Sequence, residues 1–314
     1  MPTIEPKARY SGHETFVCRY AWLPKVLREL SKKDGQNLFG DEDDAMVRLG
    51  IGKNMVRSAK FWAEAAQIIE EREDGGHQPT DFGRELLGHD GYDACLEFPE
   101  TLWLLHWKIA THPSRPLFHW QQMLNYWHRP EFSESEVLPF LEKALPKDRE
   151  KTSMRTLADG FRVFVNSYVP TRGRKGEIAE DNLDCPLVEL GLIRIAGERL
   201  THEHHRETIY SFNIEPRASI TPELFAYCLD DFWKNSGKFR EEKSLSSRVI
   251  CAEAGSPGQV FKLPESALTL LLDSLSATTN LSMVFEESQS MQQVWMKKPV
   301  SSAKLLESVY TQES

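Results

Sequence analysis

The chain has 314 residues, of which 40% are hydrophobic and 27% are charged, and its formal net charge at pH 7 is −9. This length exceeds what a single hydrophobic core usually supports, so two or three domains are expected. The acidic balance excludes a protein that coats nucleic acid through its overall field, and any contact with DNA must come from local basic patches.

The first predicted element starts at residues 11–14, Ser-Gly-His-Glu. Ser-x-x-Glu is a capping box, in which Ser11 accepts from the amide of Glu14 and the Glu14 carboxylate accepts from the amide of Ser11. Apolar residues behind it predict a helix as far as Leu27, kinked at Pro24. The alternative is chemical, with His13 as a general acid or base and Glu14 as a metal or water ligand. The residue types leave both interpretations open.

A helix-turn-helix is predicted next. Four acidic residues at 41–44 favour the positive end of a short first helix, which Gly50 ends. Gly50 and Gly52 allow a tight reversal of the chain. The second helix, over residues 53–69, carries an apolar stripe on one face. Its amino end would point outward, as in helices that enter a major groove.

The polar face of the second helix supplies candidate DNA contacts. Cations recur at Lys53, Arg57 and Lys60, where each would neutralise a phosphate. A solvated face is the alternative, because Glu64 continues the same stripe and weakens its positive field. The predicted DNA-binding residues in this part of the chain are Arg19, Lys53, Asn54, Arg57 and Lys60.

A glycine-tipped hairpin is predicted after the second helix. Residues 67–72 fit a strand, residues 74–76 are Asp-Gly-Gly, and Thr80 is placed to cap a further helix. Helix, turn, helix and hairpin in this order predict a winged helix-turn-helix.

Tryptophans and histidines concentrate between residues 98 and 128. Tryptophans can stack on exposed bases, but at helical spacing they more often form a core. The histidines share no spacing that is typical of a metal site. The residues are Trp103, Trp107, Trp120 and Trp127, with His106, His112, His119 and His128.

A second region follows a break in the pattern between residues 128 and 152. An amphipathic helix over 154–168 precedes a glycine-flexible loop with three cations, Arg172, Arg174 and Lys175. Such loops contact phosphates, and they are also common as solvated surface.

Carboxylates come directly after this basic loop. They are either ligands of a divalent ion that acts at a phosphodiester or the charged start of a helix, and their spacing does not decide. The candidate metal ligands are Glu180, Asp181 and Asp184, together with Glu14.

The complete pattern predicts an α+β, mainly α protein. A winged helix-turn-helix would form an N-terminal domain over residues 1–128. An α-rich domain with small hairpins would cover residues 152–314, with a second winged-helix-like unit at 152–215 and a helical end at 219–314.

Several classes of protein are not indicated. The five cysteines lie far apart without a C-x-x-C pair, which argues against disulfides and structural zinc. No apolar run reaches the roughly 18 residues of a membrane helix, and the first residues lack a signal-peptide core, so we expect a cytoplasmic protein without a membrane partner. No P-loop is present, so the protein should not consume ATP itself.

Two motifs carry a resemblance to a known family. Residues 10–25 read Tyr-Ser-Gly-His-Glu-Thr-Phe-x-x-Arg-Tyr-x-Trp-Leu-x-Lys, and residues 49–56 read Leu-Gly-x-Gly-Lys-Asn-Met-Val. Weaker matches lie at 180–193 and 256–263. With these motifs the sequence resembles the SspB-like family of bacterial DNA phosphorothioation systems, a domain of unknown function marked by Gly-His-Glu-Thr-Phe.

The resemblance implies a DNA-binding component that introduces single-strand nicks for sulfur insertion into the backbone. A divalent metal, Mg²⁺, would lie near His13 and Glu14 or near the carboxylates after the basic loop. The implied partners are double-stranded DNA, a cysteine desulfurase and an ATP-pyrophosphatase-like sulfur transferase, and a homodimer is a further expectation. The alternatives are a non-catalytic adaptor that recruits the sulfur-transfer enzymes and a winged-helix transcriptional regulator, neither of which needs a metal.

Overall fold

Helices and three small antiparallel sheets make up the computed structural model, which describes residues 7–149, 151–170, 185–200, 205–288 and 291–311. The predicted combination of helices with small hairpins is therefore confirmed. Within these residues, no helix has both the length and the apolar character needed to cross a bilayer. The chain divides into two compact units, Met1–Met123 with His128–Asn213, and Leu124–Trp127 with Ile214–Ser314.

The first unit begins with four helices and a hairpin. Helix α1 packs against α2, α3 and α4, and strands β1 and β2 pair antiparallel. These elements are α1 (Trp22–Leu30), α2 (Glu42–Leu49), α3 (Lys53–Ala65), β1 (Ile69–Glu71), β2 (His77–Pro79) and α4 (Asp81–Leu87).

Local sequence signals fix this part of the chain. Asp41 caps α2 by accepting from the amides of Asp43 and Asp44 at 2.9 and 3.2 Å. Gly50 ends α2 with a φ of 63°, a conformation that costs glycine little. The Thr80 hydroxyl accepts from the amide of Gly83 at 2.8 Å and so caps α4 as predicted.

The remainder of the first unit combines helices with a three-stranded sheet of order β3-β5-β4. Residues 128–213 belong to this unit because β3 pairs with β5 and α7 packs on α8. Its elements are α5 (Pro99–Ala110), α6 (Phe118–Gln121), β3 (Glu131–Phe132), α7 (Glu134–Lys143), α8 (Met154–Asn166), β4 (Ile193–Leu200) and β5 (Arg206–Phe212).

The core of the first unit is rich in aromatic residues. The Trp120 ring lies 5.6 Å from that of Trp62 and 5.1 Å from that of Phe164. The Tyr168 hydroxyl accepts from Trp120 Nε1 at 2.7 Å and lies 2.7 Å from His106 Nδ1, which satisfies these buried polar atoms. Trp103, Trp107 and Trp120, together with Trp127 of the second unit, are all at most 5% exposed, so the prediction that they form core is confirmed.

The second unit packs helix α9 against α11, α12 and α13 and contains a sheet of order β6-β8-β7. The buried Asp230 carboxylate accepts from Lys234 Nζ at 2.6 Å and from Ser302 Oγ at 2.8 Å. Its elements are α9 (Pro222–Asn235), β6 (Ser244–Ser246), α10 (Ser247–Ala252), α11 (Pro257–Phe261), α12 (Glu265–Thr278), β7 (Met283–Glu287), β8 (Gln292–Met296) and α13 (Ser302–Tyr310).

Two sequence-based predictions for the start of the chain are wrong. No helix begins between residues 7 and 21, so the capping box at Ser11 is not formed. Pro24 lies in the first turn of α1, where its missing N–H costs no hydrogen bond and causes no kink. Helix α6 is followed directly by a π-helical turn, Gln122–Tyr126.

Candidate nucleic-acid interface

The Gly-His-Glu-Thr-Phe motif forms a tight turn. The amide of Phe16 donates to the carbonyl oxygen of His13 at 2.8 Å, and the two residues between them have positive φ values, 48° at Glu14 and 62° at Thr15. Positive φ at both central positions is the signature of a type I′ turn, which favours Asn and Gly. Thr is β-branched, so its presence here marks backbone strain.

Helix α3 holds this turn in place. Ser58 Oγ donates to the His13 carbonyl oxygen at 3.1 Å, and Trp62 Nε1 donates to the Phe16 carbonyl oxygen at 3.1 Å. Gly12 has a φ of 112°, and a Cβ there would lie 3.0 Å from the Phe61 ring. These interactions hold the turn beside α3, the helix with the predicted DNA-binding residues. They also explain why residues 11–14 form a turn and not a capped helix start.

His13 is buried within the turn. Its Nδ1 accepts from the amide of Thr15 at 3.1 Å, which places the proton of the neutral ring on Nε2. That Nε2 atom is buried and has no hydrogen-bond partner among the described residues. Burial lowers the pKa of His13 to about 4, with Asp159 opposing the shift and Arg9 adding to it. At neutral pH His13 is therefore a neutral hydrogen-bond donor.

Glu14 and Thr15 are exposed at the tip of the turn. The Glu14 carboxylate adds to the rise in the pKa of Arg57, whose main cause is the hydrogen bond to Glu42. The turn and the amino half of α3 therefore share one surface.

The cations on α3 divide into two groups. Glu42 of α2 accepts from Lys53 Nζ at 2.6 Å and from Arg57 Nε at 2.7 Å, so both cations are paired. Lys60 Nζ lies 3.9 Å from Glu64 Oε1 and makes no hydrogen bond to the described residues. Asn54 is exposed on the first turn of α3.

A second set of cations meets at Glu64, whose side chain is 8% exposed. Arg9 Nη1 lies 3.0 Å from Glu64 Oε2, Arg115 Nη1 lies 3.4 Å from the same oxygen, and His77 Nε2 lies 3.1 Å from Oε1. Burial alone would raise the pKa of Glu64, but the hydrogen bond to His77 and the charges of Arg9, Arg115 and Lys60 lower it overall. We call Arg9, Lys60, Glu64 and Arg115 the Glu64 cluster.

Arg9 is the most buried cation of the Glu64 cluster. Its guanidinium carbon lies 3.9 Å from the centre of the Phe61 ring, which links the cluster to the motif turn. Burial lowers the pKa of Arg9 to about 10, and Glu64 opposes this shift. The 3.0 Å approach to Glu64 lacks hydrogen-bond alignment, so Nη1 stays a buried donor without a hydrogen-bond partner among the described residues.

The remaining predicted residues lie elsewhere. The Arg19 guanidinium lies over Phe16 and Trp22, with 5.8 and 5.4 Å to the ring centres, so it faces the motif turn and α1. Six predicted residues fall outside the described part of the chain and keep the status of predictions. They are Arg172, Arg174, Lys175, Glu180, Asp181 and Asp184.

Glu14 does not belong to a cluster of candidate metal ligands in the described part of the chain. Across the described ranges, no group of three or more His, Cys, Asp and Glu side chains is placed to hold a metal ion. Glu14 is therefore not joined by two further such ligands in this part of the chain. The charge of Glu14 instead acts on a cation, Arg57, whose pKa it helps to raise.

Two functional candidates, Arg9 and Arg115, are absent from the sequence-based set, and Glu64 was interpreted as weakening the cationic stripe. Arg115 lies in the Pro-rich break between α5 and α6, where no periodicity marks it. Arg9 directly precedes the motif, which is the one signal that points to it. In the structure Glu64 pairs with both arginines and so places them beside the cationic face of α3.

The comparisons with known proteins agree over nearly the whole chain. The fold is similar to a "Magnesium ion-bound SspB crystal structure", with 24% identity, a TM-score of 0.80, and coverage of 98% of this chain and 90% of that chain. A second "SspB crystal structure" is 23% identical, with a TM-score of 0.80 and coverage of 98% and 91%. At these identities the likeness establishes a shared fold, and no curated protein sequence matches. A family model described as "Protein of unknown function (DUF4007)" matches residues 10–310, and the chain therefore belongs to this family.

Proposed function

We propose that the protein is the DNA-binding component of a bacterial DNA phosphorothioation system. The observation that carries the proposal is the SspB-like fold over 98% of the chain, with a TM-score of 0.80. The resemblance of the Gly-His-Glu-Thr-Phe motif to this family also supports the proposal. That motif forms a defined turn beside α3, the helix with the predicted DNA contacts. Its partners would be double-stranded DNA, a cysteine desulfurase and an ATP-pyrophosphatase-like sulfur transferase.

The amino-terminal elements support a winged helix-turn-helix as the DNA-binding part. Helix α2, the glycine-bracketed turn, helix α3 and the β1-β2 hairpin follow one another in the order of that motif. In this arrangement α3 is the recognition helix, with Asn54 placed to read a base edge and Lys53, Arg57 and Lys60 placed to contact phosphates.

A salt-dependence measurement tests DNA binding. Wild type should bind unrelated duplexes with an affinity that falls as salt rises, because phosphate contacts release counterions. Replacing both Lys53 and Arg57 by Ala should flatten the plot of log affinity against log salt by about 1.8 units, roughly 0.9 for each lost contact. Wild type that binds no duplex DNA at low salt would remove the proposed function.

Nicking is a second step of the same proposal. Metal-dependent hydrolysis needs carboxylate ligands beyond Glu14, and Glu180, Asp181 and Asp184 are the candidates in this sequence. Relaxation of supercoiled plasmid with Mg²⁺, compared with EDTA, measures the activity. Glu14→Gln and Asp181→Asn should each abolish relaxation while DNA affinity stays intact.

A non-catalytic adaptor is the second candidate. The His13 ring favours it, because Nδ1 is taken by the Thr15 amide and the lowered pKa keeps the ring neutral, which leaves no free basic nitrogen. An adaptor would bind DNA and the sulfur-transfer enzymes and leave supercoiled plasmid intact with every divalent ion tested.

A further inference from the structure

We infer that the Glu64 cluster is a binding site for a phosphodiester of the nucleic-acid backbone, formed by Lys60, Arg115 and Arg9 around the Glu64 carboxylate. The assignment of this phosphate to a DNA strand rests on the proposed function. The chemistry, a tetrahedral oxyanion held by a guanidinium fork and an ammonium, rests on the cluster alone.

The Glu64 cluster has more hydrogen-bond donors than its single carboxylate can accept from. Glu64 Oε2 accepts a hydrogen bond from Arg115 Nη1 at 3.4 Å, whereas Lys60 Nζ and Arg9 Nη1 approach Glu64 without forming one. One carboxylate therefore serves three cations. The next acidic group, Glu71, lies 4.0 Å from Arg115. The cluster is positive on a protein whose net charge is −9.

Arg115 presents the open edge of its guanidinium to solvent. Its Nη1 faces Glu64, while Nε and Nη2, which form the side-on edge of the guanidinium, have no hydrogen-bond partner among the described residues. The side chain is 43% exposed, so this edge is open to solvent. Two parallel N–H donors in a rigid plane match two oxygens of a phosphate.

The Glu64 cluster lies at the carboxyl half of the cationic face of α3. Lys53, Arg57, Lys60 and Glu64 follow one another at spacings of three or four residues, so they share one helix face. Glu42 occupies the cations at the amino half of this face. The cations of this face that are not paired with Glu42 therefore lie at the carboxyl half, where Lys60 is 36% exposed and shares Glu64 with Arg115.

The test replaces Arg115 in the full chain. Arg115→Gln should flatten the salt dependence of duplex affinity by about 0.9 units, the value for one phosphate contact. Arg115→Lys keeps the charge and the partner of Glu64 but loses the planar fork, so it should retain the salt dependence and bind more weakly. Arg206→Gln, at an 81% exposed residue paired with Glu198, is the matched control and should behave as wild type.

Inorganic phosphate forms the second arm. At constant ionic strength, phosphate but not chloride should raise the Tm of wild type and leave that of Arg115→Gln unchanged. If wild type binds DNA and Arg115→Gln keeps the full salt dependence, the inference fails and the proposed function stands. If wild type binds no DNA but phosphate stabilises it through Arg115, the site takes free phosphate and the proposed function fails. The absence of both effects overturns both.

Discussion

At the scale of single residues, the motif turn stores strain. Glu14 and Thr15 both hold positive φ, and non-glycine residues in this region cost on the order of 1–3 kcal/mol each. Hydrogen bonds from Ser58 and Trp62 to the flanking carbonyl groups supply the restraint that maintains it. Strain of this kind is often found where a side chain must point in a direction that relaxed backbone would not allow.

Removing the strained side chain should stabilise the protein. Thr15→Gly removes the steric strain of the positive φ, although glycine loses more conformational entropy on folding. We therefore expect the free energy of unfolding to rise by about 1 kcal/mol. Urea denaturation measures this change. Thr152→Gly is the control, because Thr152 does not have positive φ and its replacement should lower the free energy of unfolding. A Thr15→Gly protein less stable than wild type would show that the turn is relaxed.

At the scale of elements, the contact between α2 and α3 restrains two cations. Glu42 must release Lys53 and Arg57 before they can contact phosphate. Glu42→Gln should therefore raise the affinity for duplex DNA severalfold, as measured by fluorescence anisotropy, because binding no longer has to break these ion pairs.

The neighbouring acid provides a matched control for this prediction. Asp43→Asn removes the same formal charge from the same turn of α2, but Asp43 makes no ion pair with the described residues. It should raise affinity much less. Equal gains for both variants would mean that the net charge of the protein, and not the release of Lys53 and Arg57, controls binding.

The contact between α6 and α8 depends on one glycine. A methyl group at Gly160 would collide with the buried His119 ring, whose Nε2 donates to the Leu157 carbonyl oxygen at 3.1 Å. Helix propensity favours Ala over Gly by about 1 kcal/mol, but overpacking of this kind costs about 1–3 kcal/mol.

Gly160→Ala should therefore lower the free energy of unfolding despite its better helix propensity. In a His119→Ala background the same change should be much less costly, because the colliding ring is gone. Gly197→Ala, at a site with open space for a methyl group, controls for the loss of glycine. Equal costs in both backgrounds would contradict the collision.

Local signals were sufficient to predict the α2-turn-α3 arrangement, the β1-β2 hairpin and the Thr80 cap. They failed at residues 11–14, because Ser58 and Trp62 of α3, far away in sequence, determine the backbone there. They also failed to predict the pairing of Glu64 with Arg9 and Arg115, because these arginines lie outside the hydrophobic repeat that marks α3. Sequence patterns report neighbours along the chain, and these parts of the site are made by contacts between distant segments.

At the scale of the whole molecule, three histidines make stability depend on pH. Burial lowers the pKa of His13 and of His112 to about 4, and that of His119 to about 3, from 6.5. The unfolded chain then binds more protons than the folded one below about pH 6.5. The contribution of the three neutral histidines to the free energy of unfolding is fully present above that pH and is lost as the pH falls toward 4.

This linkage predicts early acid unfolding. Each histidine contributes about 1.4 kcal/mol per pH unit across the window between its two pKa values. The free energy of unfolding, measured with urea at pH 7.5 and pH 5, should differ by several times this amount. His119→Gln should reduce the difference, and His89→Gln, at a 98% exposed residue, controls for the loss of an imidazole. Equal stability at the two pH values would contradict the burial of these rings.

The backbone around Arg9 links the Glu64 cluster to the order of folding. Arg9 donates its amide to the carbonyl oxygen of Pro116 at 2.8 Å and accepts from the amide of Phe118 at 3.0 Å. Glu42 and Lys53, by contrast, meet across a short turn. Closing the long loop between Arg9 and Pro116 costs more chain entropy, so this pairing should form after the α2-α3 hairpin. Phosphate affinity would then appear only in chains in which Arg9 has paired with Pro116. The rate at which phosphate binding recovers during refolding would therefore measure the rate of this pairing.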